Sequence, residues 1–325
     1  LYDATKSIGS LKYPLIGILS AYALAAWVRL DRTYHWKWLL RLYLLTIIVA
    51  AIYGLIRSEL GFNIWTWRNQ YYSDRAGGFY GYMRYAYHLQ FTVVAMTAVT
   101  VFRLFPLTLP GRALWWSAYA TAWLGLIFSE TRGALLATMA GLVMVFFLRN
   151  AALGKKLLLA LLIALTATAL FVAGGGSERF RLLEGISSRS NSIRISQFQS
   201  AWYAFKEAPM LGLGPQQLRY HVSRLKAAYD LPHKDYHSQH AHNVFLETLA
   251  NLGLVGILAF CGWLLTWFNE ARRGGPWSRN LVLPCWVVLV VSAQVEYLFS
   301  STGSFTIFFL YAISLAEGFR RREAA

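Results

Sequence analysis

Histidines and arginines concentrate in one polar stretch of this sequence, residues 174–243. Five of the seven histidines lie there, four of them close together (His233, His237, His240 and His242), along with nine lysines and arginines. A neutral imidazole accepts a proton near neutral pH, and a guanidinium group binds phosphate oxygens through two parallel hydrogen bonds. Proton transfer and anion binding are therefore the chemistry that this stretch predicts.

The histidine-rich segment, residues 233–243, allows more than one interpretation. His237, His240 and His242 suggest a metal site, but Asp235 is the only nearby carboxylate, and neither a cysteine partner nor a His-Glu-x-x-His pattern is present. We therefore predict no metal. His242 directly precedes an apolar run, which suits a general base at a membrane boundary. The alternative is a structural histidine at a helix start, with Asn243 as the capping residue.

A second group with chemical potential is the sequence Ser-Glu-Thr-Arg-Gly-Ala at residues 129–134, between two apolar runs. Arg132 then lies at a membrane–water boundary. One interpretation is an interfacial arginine that anchors a helix. The other is an anion site, because a guanidinium group beside the free N–H groups of a helix start is suited to phosphate.

A third group begins with the sequence Arg-Ser-Asn-Ser-Ile-Arg at residues 189–194. Apolar residues then recur at helical spacing and predict an amphipathic helix on or near the membrane face: Ile193, Phe198, Ala201, Trp202 and Phe205. Arg194 is expected at the start of this helix, either as an anion ligand or as a solvated surface charge. The glycine- and proline-rich residues 209–215 should end the helix in a tight turn.

The elements that must position these residues are membrane helices. The chain is 57% hydrophobic and 14% charged, whereas soluble domains carry about 25% charged residues. Nine apolar segments approach the length of about 20 residues that a spanning helix needs: 11–28, 39–56, 83–102, 113–128, 133–148, 156–173, 244–268, 281–299 and 304–319. The fold prediction is an all-α polytopic membrane protein with about nine transmembrane helices in this chain and a helical loop.

The distribution of lysine and arginine predicts the orientation. Basic residues accumulate in alternate short connections and in the terminal Arg-Arg-Arg run at 320–322, which we assign to the cytoplasm. The 174–243 stretch then faces the periplasm of a bacterial inner membrane. Three regions follow: transmembrane helices at 1–173, a periplasmic catalytic loop at 174–243, and C-terminal transmembrane helices with a cytoplasmic tail at 244–325. Since residue 1 falls on the periplasmic side, we expect one to three earlier spans.

Several function classes lack support in the sequence. It contains no P-loop, no dinucleotide-binding glycine pattern after a strand, no Gly-x-Ser-x-Gly elbow and no Asp-x-Asp pair. We therefore predict no cofactor. The 174–243 loop carries nine basic residues against five acidic ones, a net charge of +4. This charge suits an anionic, lipid-linked substrate that brings its own leaving group, and the protein's total charge of +16 is not taken as a sign of nucleic-acid binding.

The order of these motifs resembles the bacterial O-antigen ligase family, within the wider ligase/polymerase superfamily. The resemblance rests on residues 129–134, Arg194 with the turn after its helix, and His242-Asn243 followed nine residues later by Gly-Leu-Val-Gly at 253–256. It covers about residues 113–268. It implies a membrane-embedded glycosyltransferase of the GT-C type with about twelve spans, so that nine spans here would leave N-terminal helices unaccounted for.

The resemblance also implies a reaction. Family members transfer a glycan from undecaprenyl pyrophosphate to the lipid A–core oligosaccharide in lipopolysaccharide biosynthesis, without metal or nucleotide. Carried over residue by residue, Arg132 and Arg194 match the family's essential arginines and His242 its essential histidine, with Arg189 as a competitor for Arg194. The pyrophosphate would then lie against the arginines, and His242 would take the proton of the acceptor hydroxyl in a single inverting displacement.

Other functions remain open at this point. An O-antigen polymerase would use a second lipid-linked glycan as the acceptor, and a protein-directed ligase would glycosylate pilin. A transporter of lipid-linked sugars is the alternative from another class, and Gln294 and Glu296 are the notable polar residues inside a late apolar segment that would serve it. The glycan, the acceptor sugar, the oligomeric state and the roles of His237 and His240 are not predicted.

Overall fold

In the computed structural model of the protein, the described residues are almost all helical. The structure describes residues 19–20, 23, 36–60, 62–63, 68–69, 76–77, 82–106, 108–153, 155–158, 178–233, 240–299 and 303–324. Its principal helices are α1 (Trp36–Leu60), α2 (Tyr82–Phe102), α3 (Leu109–Phe128), α4 (Arg132–Arg149), α5 (Glu178–Glu207), α6 (Leu218–Ala228), α7 (Val244–Arg273), α8 (Leu283–Ala293) and α9 (Gly303–Ala324). A π-helical turn, Ser278–Val282, precedes α8, and one two-residue antiparallel ladder pairs β1 (Phe62–Asn63) with β2 (Arg68–Asn69).

Four of the predicted apolar segments coincide with helices that are long and apolar enough to cross a membrane: Leu40–Arg57, Tyr82–Phe102, Arg132–Arg149 and Val244–Arg273. The predicted all-α membrane fold is thus confirmed in outline. Two further segments, 281–299 and 304–319, correspond to shorter apolar helices, Ser278–Ala293 and Thr306–Glu317. Segment 113–128 lies in α3, which is not among the candidate spans, and 11–28 and 156–173 lie largely outside the described residues. The count of nine spans stays a prediction.

The described residues fall into two compact units. The first unit contains described residues of Ala152–Thr266 and Ala293–Phe299, and therefore includes α5, α6 and most of α7. The second contains described residues of Gly17–Ala151, Trp267–Ser292 and Ser300–Ala325. Each unit is considered by itself below.

The core of the first unit forms where α5 and α6 pack against each other. Small side chains on α5, Ala201 and Ala204, meet larger ones on α6, Leu218, Val222 and Leu225, and the same cluster includes Ala241 and Ala250. Alanines allow the backbone of α5 to approach its neighbours closely, which is how packed helices fill their shared interface. The core thus joins the arginine-bearing helix to the segment on both sides of His242.

The second unit packs α1 against α3, and α2 against α3, α4 and α9. Some of its buried polar groups bond to each other: Ser292 Oγ donates to Gln90 Oε1 at 2.8 Å. His88 of α2 lies between two hydroxyls, with Nε2 3.3 Å from Tyr43 Oη and Nδ1 3.1 Å from Thr306 Oγ1. Helices in hydrocarbon commonly pair polar side chains in this way, because the lipid offers them no hydrogen-bonding partner.

Candidate active site around His242

The backbone around His242 is fixed by the start of α7. Asn243 Oδ1 accepts the Leu246 N–H at 2.9 Å, which is the hydrogen bond of an N-capping residue. The predicted structural role of Asn243 is therefore confirmed. Glu247, in the first turn, is buried and accepts the Ala241 N–H at 2.6 Å. His242 itself adopts a left-handed conformation, with φ of 50°, and is held between two such anchored neighbours.

The side chain of His242 is oriented by a carboxylate. His242 Nδ1 lies 3.0 Å from both Oε1 and Oε2 of Glu296, whose side chain is 8% exposed. An ionised carboxylate only accepts hydrogen bonds, so the proton of a neutral imidazole must stand on Nδ1. Nε2 then carries the lone pair. The ring is thereby set in the tautomer that a general base requires.

Glu296 reaches His242 because the apolar segment that contains it is not helical along its whole length. Sequence reasoning predicted one membrane segment over 281–299, whereas α8 ends at Ala293 and residues 294–299 form turns. Two hydrogen bonds fix this turn. Asn243 Nδ2 donates to the Gln294 carbonyl at 3.0 Å, and the Tyr297 N–H donates to Glu296 Oε1 at 3.0 Å. The capping residue of α7 thus also positions the segment that carries the carboxylate.

Glu296 is the member of this cluster that sequence reasoning did not connect with His242. It had been noted only as a polar residue that a transporter could use. A carboxylate inside an apolar segment is itself a signal of function, because a buried charge is retained only with a partner. The partner, His242, lies 54 positions earlier in the chain, so that no local spacing could identify the pair.

His240 completes a compact cluster with these two residues. Its ring contacts the His242 ring edge to face, with centroids 4.4 Å apart, and the Tyr297 ring at 5.7 Å. His240 Nδ1 lies 3.9 Å from Glu296 Oε1. The ligand atoms of His240, His242 and Glu296 all lie within 4.8 Å of one another, so the three could also hold a metal ion. Glu296 is the carboxylate of this group, and it comes from a segment far from His242 in the sequence.

The glycine motifs that carried the resemblance meet each other in space. Leu213 and Gly214 donate their N–H groups to the carbonyls of Ala250 and Asn251, at 2.9 and 2.8 Å. Helix α7 breaks next to this contact at Gly253, which has φ of 64° and ψ of −159°. The two motifs therefore form one backbone junction, which joins the segment after α5 to α7, the helix after His242.

No larger residue fits at the two glycines in this junction. Gly212 has φ of 68°, and a Cβ there would lie 2.4 Å from the backbone of Asn251 and Leu252. A Cβ on Gly253 would lie 2.5 Å from the Met210 backbone. Since neighbouring backbone cannot move aside like a flexible side chain, only glycine permits this approach.

Arg194 lies in the middle of α5 and not at its start. The sequence prediction began the helix near Arg194, but α5 begins at Glu178, because residues 178–184 are mostly good helix formers and residues 178–208 contain no proline. The helical spacing of the later residues is confirmed, although they face different ways: Ala201 is buried and Trp202 is 44% exposed. Arg194 is half-buried and stands two turns before Ala201, near the face that packs in the core.

Pro232 and His233, where the histidine-rich segment begins, lie against α5. Their partners on this helix precede and follow Arg194 in the sequence. Ser192 Oγ is 2.6 Å from His233 Nε2, and Ser196 Oγ donates to the Pro232 carbonyl at 2.7 Å. The buried Lys226 donates to the His233 carbonyl at 3.1 Å, and its burial lowers the pKa of its ammonium group. Three hydrogen bonds thus hold the entry to this segment against α5 and α6.

Arg132 belongs to the second unit. It is the first residue of α4 and is exposed. The preceding turn is bonded within itself, since Ser129 Oγ donates to the Leu126 carbonyl at 2.6 Å and Thr131 Oγ1 donates to the Ser129 carbonyl at 3.2 Å. The predicted helix start is thus present, and Arg132 stands beside backbone N–H groups that a helix leaves without acceptors in its first turn.

The predicted site residues are therefore only partly brought together. His242, His240 and Glu296 form one cluster in the first unit, and Arg194 lies in the same unit on α5. Arg189 also lies within α5, where its backbone alone is described, and His237 lies outside the described residues. Arg132 lies in the second unit.

Comparison with known proteins gave one result that bears on function. None of the curated proteins compared with the chain matches it. Residues 117–261, from α3 into α7, match the model of a family described as O-antigen ligase. This segment contains Arg132, Arg194 and His242, whereas Glu296 lies beyond it. The resemblance predicted from the sequence is therefore confirmed, and an activity of the O-antigen ligase/polymerase superfamily, of glycosyltransferase type, is supported.

Proposed function

From the match of residues 117–261 to the O-antigen ligase family, we propose that this protein transfers a glycan from undecaprenyl pyrophosphate to the lipid A–core oligosaccharide. The acceptor is a sugar hydroxyl of that core, and the reaction is a metal-independent, inverting displacement in lipopolysaccharide biosynthesis. The single observation that carries the mechanism is the contact of His242 Nδ1 with the buried carboxylate of Glu296. We further propose a GT-C-type arrangement, with the active site on the periplasmic face of the inner membrane.

His242 is the general base of this mechanism. Its Nε2 accepts the proton of the acceptor hydroxyl while that oxygen attacks the anomeric carbon of the donor sugar. The bond between this carbon and the pyrophosphate oxygen breaks, and undecaprenyl pyrophosphate leaves with the bonding electron pair. The imidazolium that forms lies beside the Glu296 carboxylate, which stabilises its charge. No enzyme nucleophile is needed, so the configuration at the anomeric carbon inverts.

The arginines are assigned to the leaving group. Arg132 and Arg194 bind the pyrophosphate and stabilise the charge that grows as the glycosidic bond breaks. Their surroundings support different contributions. Arg132 is exposed at a helix start, where N–H groups add to the guanidinium, while Arg194 lies in the middle of a helix and offers its guanidinium alone. Arg189 is the competitor for the second position.

Substitution of the arginines separates these assignments. Arg132→Ala is expected to weaken donor binding as well as turnover, and Arg194→Lys to lower turnover because a lysine cannot bind two phosphate oxygens as a fork. Arg189→Lys is the matched control on the same helix. If Arg189→Lys lowers the rate more than Arg194→Lys does, the two residues exchange roles. Donor binding measured with a non-transferable analogue distinguishes loss of affinity from loss of chemistry.

A reconstituted transfer assay tests the function itself. The purified protein receives undecaprenyl-pyrophosphate glycan, with lipid A–core and a second lipid-linked glycan as competing acceptors, in the presence of a chelator. We expect product on lipid A–core, with inverted configuration. A lengthened lipid-linked glycan would identify a polymerase, and loss of activity with the chelator that returns on adding metal would assign His240, His242 and Glu296 to a metal instead.

A further inference from the structure

We propose that the turn at residues 209–211 inserts its side chains into the lipid bilayer beside α7, and thereby anchors the first unit to the membrane. The sequence assigned this turn to a loop outside the membrane. This placement does not depend on the proposed reaction, because it concerns only whether lipid or water surrounds the turn.

Backbone hydrogen bonds fix the turn against a membrane helix. Leu254 donates its N–H to the Pro209 carbonyl at 2.8 Å, and Val255 donates to the Met210 carbonyl at 3.2 Å. These are the first residues of α7 after its break at Gly253. The break leaves two N–H groups of α7 without their intrahelical acceptors, and the turn supplies those acceptors. The turn therefore lies at the same depth as residues 254 and 255.

The depth of these residues follows from the length of α7. From Leu254 the helix continues to Arg273, which at 1.5 Å per residue is about 30 Å, the thickness of the hydrocarbon core. Residues 254–268 carry no charged side chain, and Arg272 and Arg273 end the helix. With the arginines at one boundary, Leu254 lies at the other. The turn is therefore level with the edge of the hydrocarbon.

The side chains of the turn suit this environment. Met210 is 58% exposed and Leu211 70% exposed. On α7, the exposed Val255 and Leu258 extend the same apolar surface along the backbone to which the turn is bonded. Contiguous apolar patches of this kind are rarely left to water. Because this patch continues onto a membrane helix, lipid chains are the occupant that its position indicates.

The adjacent end of α5 has the composition of a membrane interface. Trp202 is exposed, and Lys206 Nζ lies 5.9 Å from the centre of its ring. Tryptophan and lysine are enriched where helices meet the headgroup region. The end of α5 that carries Trp202 and Lys206 thus lies at the headgroups, and the turn that follows it enters the hydrocarbon.

Spin labelling in vesicles tests this placement. A nitroxide is attached at Leu211→Cys, at Leu258→Cys as the reference inside the span, and at Ala228→Cys as the exposed reference at the end of α6. The background carries Cys261→Ala, which leaves the fully buried Cys285 as the other cysteine. In phosphatidylethanolamine–phosphatidylglycerol vesicles, accessibility to oxygen, which concentrates in hydrocarbon, is compared with accessibility to a water-soluble nickel chelate.

We expect the ratio of oxygen to nickel accessibility at position 211 to lie below that at position 258, because the turn is at the edge of the hydrocarbon, and to exceed that at position 228 several-fold. A ratio at 211 equal to that at 228, while 258 reads as lipid, would overturn the proposal. Met210→Cys provides a second reading if the label at 211 disturbs the turn, and the reading at 258 reports in each sample whether α7 is correctly inserted.

Discussion

Two histidines of this protein have hydrogen-bonding partners from distant segments, but the chemical nature of those partners differs. His88 lies within α2 and has a hydroxyl at each ring nitrogen, from Tyr43 and Thr306. His242 lies before the first turn of α7, with φ of 50°, and its Nδ1 meets the buried carboxylate of Glu296.

The comparison shows what distinguishes a structural histidine from a candidate base. Two hydroxyl partners occupy both nitrogens of His88, and neither hydroxyl can stabilise an imidazolium as an anion does. The carboxylate at His242 selects one tautomer, stabilises the protonated ring and leaves Nε2 as the lone-pair nitrogen. Burial and hydrogen bonding are common to both residues, so the kind of partner is the informative difference.

Removal of each imidazole should give the largest contrast. We expect His242→Ala to lower turnover by at least ~10²-fold, because general base catalysis contributes about that much or more, with donor binding mostly kept. His88→Ala should leave turnover near that of the wild type and lower stability by about 1–2 kcal/mol through its lost hydrogen bonds. Transfer rates and thermal unfolding of the two variants measure this. Near-normal turnover of His242→Ala would remove the base assignment.

Removal of each histidine's partner should give the next largest effect. In Glu296→Gln the amide can donate to Nδ1, which moves the imidazole proton to Nε2 and blocks the base, so a fall of about tenfold or more is expected. Tyr43→Phe removes a hydroxyl from His88 and should change the rate little. Single-turnover rates are the readout. Equal losses in both variants would mean that Glu296 acts only through stability.

A smaller effect is expected from the backbone that supports His242. Gly253→Ala places a Cβ against the Met210 backbone at a positive φ, which we expect to cost roughly 1–3 kcal/mol of stability. Gly262→Ala, on the same helix, meets nothing within 4 Å and serves as the control. Thermal unfolding in detergent compares the two, and identical midpoints would contradict the assigned junction.

The smallest effect concerns an exposed ion pair of the first unit. Arg224 donates two hydrogen bonds to Glu207, and these bonds hold the pKa of the Glu207 carboxyl below its usual value. A lowered folded-state pKa adds stability above the unfolded-state value near 4.3, and this stability is lost as the pH falls through the folded-state pKa. Because the pair is exposed, Arg224→Gln should cost under about 1 kcal/mol at pH 7.

The control for this last prediction is the same measurement at acid pH. The difference in unfolding free energy between Arg224→Gln and the wild type should shrink once Glu207 is protonated in both states. A difference that is unchanged from pH 7 to pH 3 would show that Arg224 acts through packing and not through its charge.

Local rules predicted the parts of the site that local interactions determine. Capping by Asn243 belonged to the alternative interpretation of His242, because asparagine is a preferred residue directly before a helix, and Gly253 was noted from its spacing to His242. The predicted position of Arg194 at the start of its helix was wrong, because residues 178–184, which are mostly good helix formers, extend α5 back to Glu178. The end of α8 at Ala293 was also not predicted, because the apolar composition of 281–299 indicated one continuous helix.

The contact between His242 and Glu296 could not be predicted from spacing for a different reason. It depends on a turn after α8 that is held by Asn243, and so on tertiary structure that no window of sequence contains. A more consistent use of the rule for charges in apolar segments would have marked Glu296 as a site residue, although it would not have identified its partner.

The separation of His242 from Glu296 also has a consequence for how the protein is made. The carboxylate follows the histidine by 54 positions, and at 5–20 residues per second it leaves the ribosome roughly 3–11 s later. During that interval the histidine has no carboxylate to select its tautomer. The proposed catalyst is therefore completed only after residue 296 has been synthesised, and until then a nascent chain that already contains His242 lacks the carboxylate partner of its base.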